Sequence, residues 1–163
     1  MATINPETFL KRIQLAKKTA PKMVQQALIE SKLEKINQDN LLRGKTSEGG
    51  RMPLYSRKYR RGQLLYWRYK VQSNPLNDGR WDLKHSWGKK YDGLFYGSIK
   101  VKVNLKEVVF NTNYDPGYMK DIYAIITKSR IIGITKKQMI DAQIANKPKI
   151  KIRLDKLINK GQL

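Results

Sequence analysis

The chain has 163 residues, with 34 Lys and Arg against 13 Asp and Glu, one His and no Cys, for a formal net charge of +21. The length suits one ordinary domain spanning 1–163, and 40% hydrophobic residues exclude disorder throughout. Without cysteine there is no disulfide, no thiolate metal site and no Cys nucleophile. Charge this one-sided opposes compaction by self-repulsion, so an anionic partner or an acidic protein neighbour is expected. The opening MATINPETFLKRIQLAKK carries charge at once and lacks the apolar run of a secretory signal. No stretch approaches the roughly 18 apolar residues of a membrane span. A soluble protein made inside the cell is expected.

Asn5-Pro6-Glu7 reads as a helix start, with Asn as N-cap, Pro at the first helical position and an acid in the first turn. Phe9, Ile13 and Ala16 recur at helical spacing, and Pro21 either restarts or kinks the helix. From Met23 to Asn37 two adjacent seams are available, Val24–Leu28–Ser31 and Ile29–Leu33–Ile36. One long kinked helix and a helical hairpin both fit, so residues 1–40 form a helical N-terminal arm. Gly44 is placed to stop a helix and Gly49-Gly50 to make a flexible turn, opening an α+β body over 41–146. The stretch 51–92 is aromatic and irregular, with turns expected at Asn74-Pro75 and Asn77-Asp78-Gly79.

Ile99, Val101 and Val103 alternate with Lys100 and Lys102 as in a half-buried strand. Asn104-Leu105-Lys106 is a short loop, and EVVFN the returning strand. Asp115-Pro116 opens another helix with Met119, Ile122 and Ile126 on one face. Thr135-Lys136-Lys137-Gln138 is a capping-box pattern, and Met139, Ile140 and Ile144 extend its helix until Pro148 interrupts. In the basic C-terminal segment, 147–163, Ile150, Ile152 and Leu154 alternate like a strand. Ile150, Leu154, Leu157 and Ile158 also match one helical face, and length and the leading Pro favour helix. High charge at both ends suggests that partners order them. The sum is an α+β class: N-terminal helices, an irregular aromatic segment, a small antiparallel hairpin and C-terminal helices.

No catalytic or metal-binding constellation emerges, and no cofactor is implied. His85 is the only histidine and reads as a surface or turn residue. Ser86 and Ser98 lack the context of a nucleophile elbow. Asp78, Asp82 and Asp92 are the densest carboxylates, and a paired-carboxylate glycan hydrolase would draw on them. Arg80, Lys84, Lys89 and Lys90 surround them and favour ionised acids, so turn-forming and ion-pairing roles are preferred. GKTSEGG lacks the upstream glycine and the preceding strand of a phosphate loop.

The basic segments carry the signal. Arg51, Arg57, Lys58, Arg60, Arg61 and Arg68 are suited to phosphates or an acidic partner, and Tyr55, Tyr59, Tyr66, Trp67 and Tyr69 to base stacking. Leu64 and Leu65 beside Tyr66-Trp67 favour inward packing of the aromatics, with the cations ringing them. Lys147, Lys149, Lys151 and Arg153, followed by Lys156 and Lys160, make a second basic surface opposed only by Asp155. Charge so widely spread suits a nucleic-acid backbone or an acidic protein ring better than sequence readout.

The succession NQDNLLRGKTSEGG, YSRKY, WDLK, DGLFYGSIKVKV and IIGIT resembles small structural proteins of tailed bacteriophages. These are head-to-tail connector or tail-completion type proteins, of the kind carried by phages of Bacteroides-like hosts. The positions are Leu42, Gly44 and Gly50; Tyr55, Ser56 and Tyr59; Asp82, Leu83 and Lys84; Gly93, Phe95, Tyr96 and Ser98; and Ile132, Gly133, Ile134 and Thr135. The match covers residues 37–138, and HSWGKKYD is inserted between the third and fourth elements. The resemblance implies a non-enzymatic virion component assembled in the host bacterial cytoplasm. It also implies a ring-forming protein whose partners are portal, connector or tail subunits, with non-specific DNA contact and no membrane. A ribosomal or nucleoid-type nucleic-acid-binding protein is the alternative, and a basic cell-wall hydrolase a distant third.

Overall fold

The structure, a computed structural model, describes residues 5–54, 66–83, 94–114 and 118–161. It is α+β, helical for the most part with one small antiparallel sheet. Helix α1 (Pro6–Glu30) begins as the sequence predicts, the Asn5 side chain accepting from the Glu7 N–H at 3.0 Å. It ends at Ser31, and Lys32 takes a left-handed conformation (φ +49°) before α2 (Leu33–Leu42), so the arm is two helices. Helix α3 (Tyr66–Ser73) lies inside the stretch expected to be irregular. The short α4 (Leu94–Ser98) leads into β1 (Ile99–Val103), which pairs antiparallel with β2 (Val108–Thr112) in the register Val103 opposite Val108. Helices α5 (Tyr118–Ile125), α6 (Lys128–Ile131) and α7 (Lys136–Lys160) complete the chain.

The sequence predicts a restart or a kink at Pro21 and an interruption at Pro148. Pro21 and Pro148 both lie inside continuous helices, α1 and α7. An internal proline costs about 3 kcal/mol, and these two helices hold each other in compensation. Their packing is antiparallel: Arg12 of α1 donates to the carbonyls of Ile158 (3.3 Å) and Asn159 (2.9 Å). A guanidinium there satisfies carbonyls that a helix C-terminus leaves unpaired and faces the negative end of its dipole. Ala16, Met23 and Leu157 bury a small apolar cluster between them. Farther along, Asn146 donates to the Ser31 hydroxyl at 2.6 Å and Arg153 pairs with Glu30 at 3.0 Å. The two charged ends thus contact each other.

The main core joins α2, α4, β1 and the segment around α6, through Leu41, Met52, Phe95, Tyr96, Ile99 and Ile131. Buried asparagines stitch its edges. Asn37 donates to the carbonyls of Ile131 (3.1 Å) and Gly133 (2.7 Å), and Asn40 exchanges amide hydrogen bonds with Gln138 (2.9 and 2.8 Å). Gln138 also completes the expected capping box with Thr135. The predicted seams are therefore shifted: Leu33, Asn37, Asn40 and Leu41 face inward on α2, while Ile36 is half-buried and Ile29 exposed. On α7, Ala142 and Asn146 are buried, and Ile140 and Ile144 face out.

Gly44 ends α2 as predicted. Its N–H bonds Leu41 O and the Lys45 N–H bonds Asn40 O, both at 2.8 Å, the two bonds of a Schellman motif. Gly49 then turns the chain where a turn is predicted, its N–H on Thr46 O (3.0 Å). At Gly44, φ is +61° and an added Cβ would stand 2.7 Å from the Cβ of Arg80. A Gly44→Ala chain should lose roughly 1–3 kcal/mol from strain and collision. Denaturant unfolding checks this, and an unchanged midpoint would remove the turn from the account.

Candidate functional site

Of the described cations in residues 51–70, Arg51, Arg68 and Lys70, one is not at the surface. Lys70, on α3, reaches into the protein with 1% of its side chain exposed, and its ammonium sits 2.7 Å from Asp82 Oδ1. The Asp82 side chain is equally closed off. Its second oxygen accepts from Asn74 Nδ2 at 3.1 Å, and that amide also donates to Leu42 O at 2.7 Å. The Tyr96 hydroxyl donates to the Asp82 backbone carbonyl. One buried cluster thus ties α3, the turn after it, the end of α2 and the helix α4 that leads into the sheet. An ion pair so dry needs its other polar atoms served as well, as Asn74 serves the second Asp82 oxygen.

The local sequence explains how the cluster forms. Asn74 follows α3, its N–H donating to Lys70 O at 2.9 Å and its side-chain oxygen accepting from the Leu76 N–H at 3.2 Å. Asn77 closes the next turn by accepting from the Arg80 N–H (2.6 Å) and donating to Arg80 O (3.0 Å), with Gly79 at φ +84°. These are the turns predicted at 74–79. Arg80 pairs with Asp78 at 2.9 Å and donates to Met52 O at 2.9 Å, while Trp81 and Leu83 pack on the core. Asp78 and Asp82 therefore both take the ion-pairing role that the sequence favoured, and Asp92 lies outside the described residues.

The other cations divide. Arg51, Arg68, Lys147, Lys149 and Lys151 are exposed, and Arg57, Lys58, Arg60 and Arg61, with Tyr55, Tyr59 and Gly93, lie outside the described residues. On α7, the positions Ile140, Ile144, Lys147 and Lys151 fall at i, i+4, i+7 and i+11, one stripe of the helix. The isoleucines on the outward side are open to solvent: Ile140 at 42%, Ile144 at 52% and Ile152 at 56%. Lys149 and Arg153 face the α1 side, where the Arg153 hydrogen bond, with help from Gln26, lowers the pKa of the exposed Glu30 carboxyl. The C-terminal basic run is thus not one surface. Lys147 and Lys151 flank apolar side chains, and Arg153 is engaged within the chain.

The remaining motif positions come together in the fold. Gly133 (φ +143°) is buried with its α-carbon face against Ser47, and Ser47 bonds Arg130 O and Ser129 O, both at 2.7 Å. Gly50 lies over Thr46, in the same turn that Gly44 opens. Phe95 and Tyr96 are in the core, and Ser98 bonds Phe95 O and the Thr112 hydroxyl. Sequence reasoning missed Lys70 and the buried Asn37, Asn40, Asn74 and Asn146. The available signal was helical spacing, since Asn37, Asn40 and Leu41 continue the seam begun by Leu33.

Among the described residues, no three His, Asp or Glu side chains group as a metal site requires. No helix among the described residues is long and apolar enough to cross a membrane. No protein-family model, curated protein or solved structure matches the chain.

Burial pushes the Tyr96 hydroxyl well above the ordinary tyrosine range, reinforced by the negative charges of Asp82 and then Asp39. An unfolded tyrosine ionises near pH 10. The fold's preference for the neutral phenol is fully present below that value and is lost as pH climbs toward the raised native one. Between pH 9 and 11 a Tyr96→Phe chain should therefore lose less stability than the parent, measured by urea unfolding at each pH. Parallel curves would mean that the phenol is not buried in its neutral form.

Proposed function

We propose that this chain is a non-enzymatic structural component of a tailed-phage virion, stationed at the portal, neck or tail as a connector, ring or tail-completion protein. It binds other virion subunits through its basic faces and belongs to the virion, after assembly in the host cytoplasm. The ordered motifs over residues 37–138 support this reading. The observation that carries it is the outward stripe of α7, where the exposed Ile140 and Ile144 run on into Lys147 and Lys151. Apolar groups ringed by charge suit a protein interface, with a dry centre and a polar rim. A phosphate backbone would require the cations alone. The partner surface is accordingly acidic and partly apolar.

The alternative, a cytoplasmic nucleic-acid-binding protein of ribosomal or nucleoid type, draws on the +21 charge and on Arg51 and Arg68, which face solvent. One experiment separates the two. Co-expressed with portal and tail subunits, the chain should migrate in a ring-sized assembly, and Ile144→Asp with Ile152→Asp should release it. Retention on DNA should be weak and indifferent to those two changes. Tight, salt-sensitive DNA binding, with no assembly formed, would establish the alternative instead.

A further inference from the structure

Among the described residues the sheet has two strands, and helices α1, α2 and α4 all pack on β1, which leaves β2 as its outer strand. The turn fixes which backbone groups face outward. The Asn104 N–H donates to Glu107 O at 2.8 Å, so these two residues form a hydrogen-bonded pair. Hydrogen-bonded and non-bonded pairs alternate along an antiparallel ladder. Lys102 with Val109 and Lys100 with Asn111 are then the bonded pairs, and the N–H and C=O groups of Val103, Val101 and Ile99 point away from β2. An independent contact agrees: Val103 O accepts from Gln25 Nε2 of α1 at 2.6 Å, on the helix side of β1.

The same alternation turns the N–H and C=O groups of Val108 and Phe110 outward from β2. Among the described residues nothing bonds them, and at the end of the strand the Thr112 N–H is taken by the Asn111 side chain. Val109, on the solvent face, is 39% exposed. Beside it on that face stand Lys100 and Lys102, with Lys106 in the turn and Glu107 the only acid of the hairpin. An open edge of unpaired backbone groups is a template for another strand. A two-stranded sheet also gains most from a third.

We propose that the outer edge of β2 accepts an extended segment of a second protein, one whose side chains alternate apolar and acidic. The main-chain groups of Val108 and Phe110 supply the pairing. The half-buried Val108 and Phe110 side chains supply apolar contact on the inner face, and Lys100 and Lys102 select the acids on the solvent face. A second copy of this chain is the wrong occupant, because it brings the same lysines and a further +21 of charge to the junction. This inference goes beyond the virion reading and stands without it, since it concerns the backbone of one strand whatever protein supplies the other.

The probe is a synthetic peptide of alternating valine and glutamate, with its valine–lysine counterpart as control, followed by backbone amide exchange and chemical shifts in the whole chain. In the free protein the Val108 and Phe110 amides should exchange quickly, and those of Val109 and Asn111 slowly. The glutamate peptide should protect Val108 and Phe110, and the lysine peptide should not. Val108→Pro removes an outward N–H at the first position of an edge strand, where proline is tolerated. Binding should weaken about tenfold, the loss of one hydrogen bond. Lys100→Glu with Lys102→Glu, which keeps the backbone intact, should weaken it further by repelling the acids. Protection of Val108 and Phe110 in the free monomer, pairing of β2 with a second copy, or equal binding by the Val108→Pro chain would each overturn the proposal. Failure here leaves the α7 stripe and the virion reading untouched, because neither uses β2.

Discussion

An ammonium and a carboxylate, both sealed from water, sit at the centre of this molecule. Lys70 and Asp82 meet at 2.7 Å, with Asn74 on the second carboxylate oxygen and Tyr96 on the backbone next door. Taking two charges out of water costs several kcal/mol each, and their attraction repays that only when the geometry is close and every polar group is served. The consequence is mutual dependence. Helix α3, the turns at 74–80, the end of α2 and the strand-bearing half must all be in place for the pair to form.

The pair also separates two populations of positive charge. One lysine is spent inside, and the exposed cations play no part in closing the core. Arg51, Arg68, Lys147 and Lys151 are therefore available to a partner without cost to the fold. Their neighbours decide what kind of partner. Beside Lys147 and Lys151 are isoleucines that a DNA backbone cannot use, and beside β2 is an edge that only another strand completes. Both features match a chain that works inside an assembly, which is why the virion reading is preferred to simple nucleic-acid binding. The pairing of α1 with α7 adds that its two ends support each other through Arg12 and Arg153.

Much of this was legible in the sequence wherever a short-range rule applies. Period-two alternation at 99–103 located β1, the Thr135–Gln138 pattern located the start of α7, and Gly44 and Asn77-Asp78-Gly79 located their turns. Long-range pairing was not legible. Lys70 stands in a run of cations and has no local mark of burial, because its partner is twelve positions away in a different turn. The inward asparagines of α2 and α7 look like polar surface until the carbonyls they serve are known. Pro21 and Pro148 read as breaks because the rule for proline is local, whereas the force that overrides it is the packing of two helices remote in sequence. The exposed Ile140 and Ile144 mislead in the same way, since apolar spacing alone does not say whether a face meets the core or a partner.

The most direct test is a double-mutant cycle on the buried pair, using Lys70→Met, Asp82→Asn and the combination in urea unfolding. Each single change should cost about 3–5 kcal/mol, because it strands the other partner without its counter-charge. The double change should cost clearly less than the sum of the two, leaving a coupling on the order of 1–3 kcal/mol. Single changes that cost little and add to within about 0.5 kcal/mol would mean that the pair is not the centre on which the fold depends.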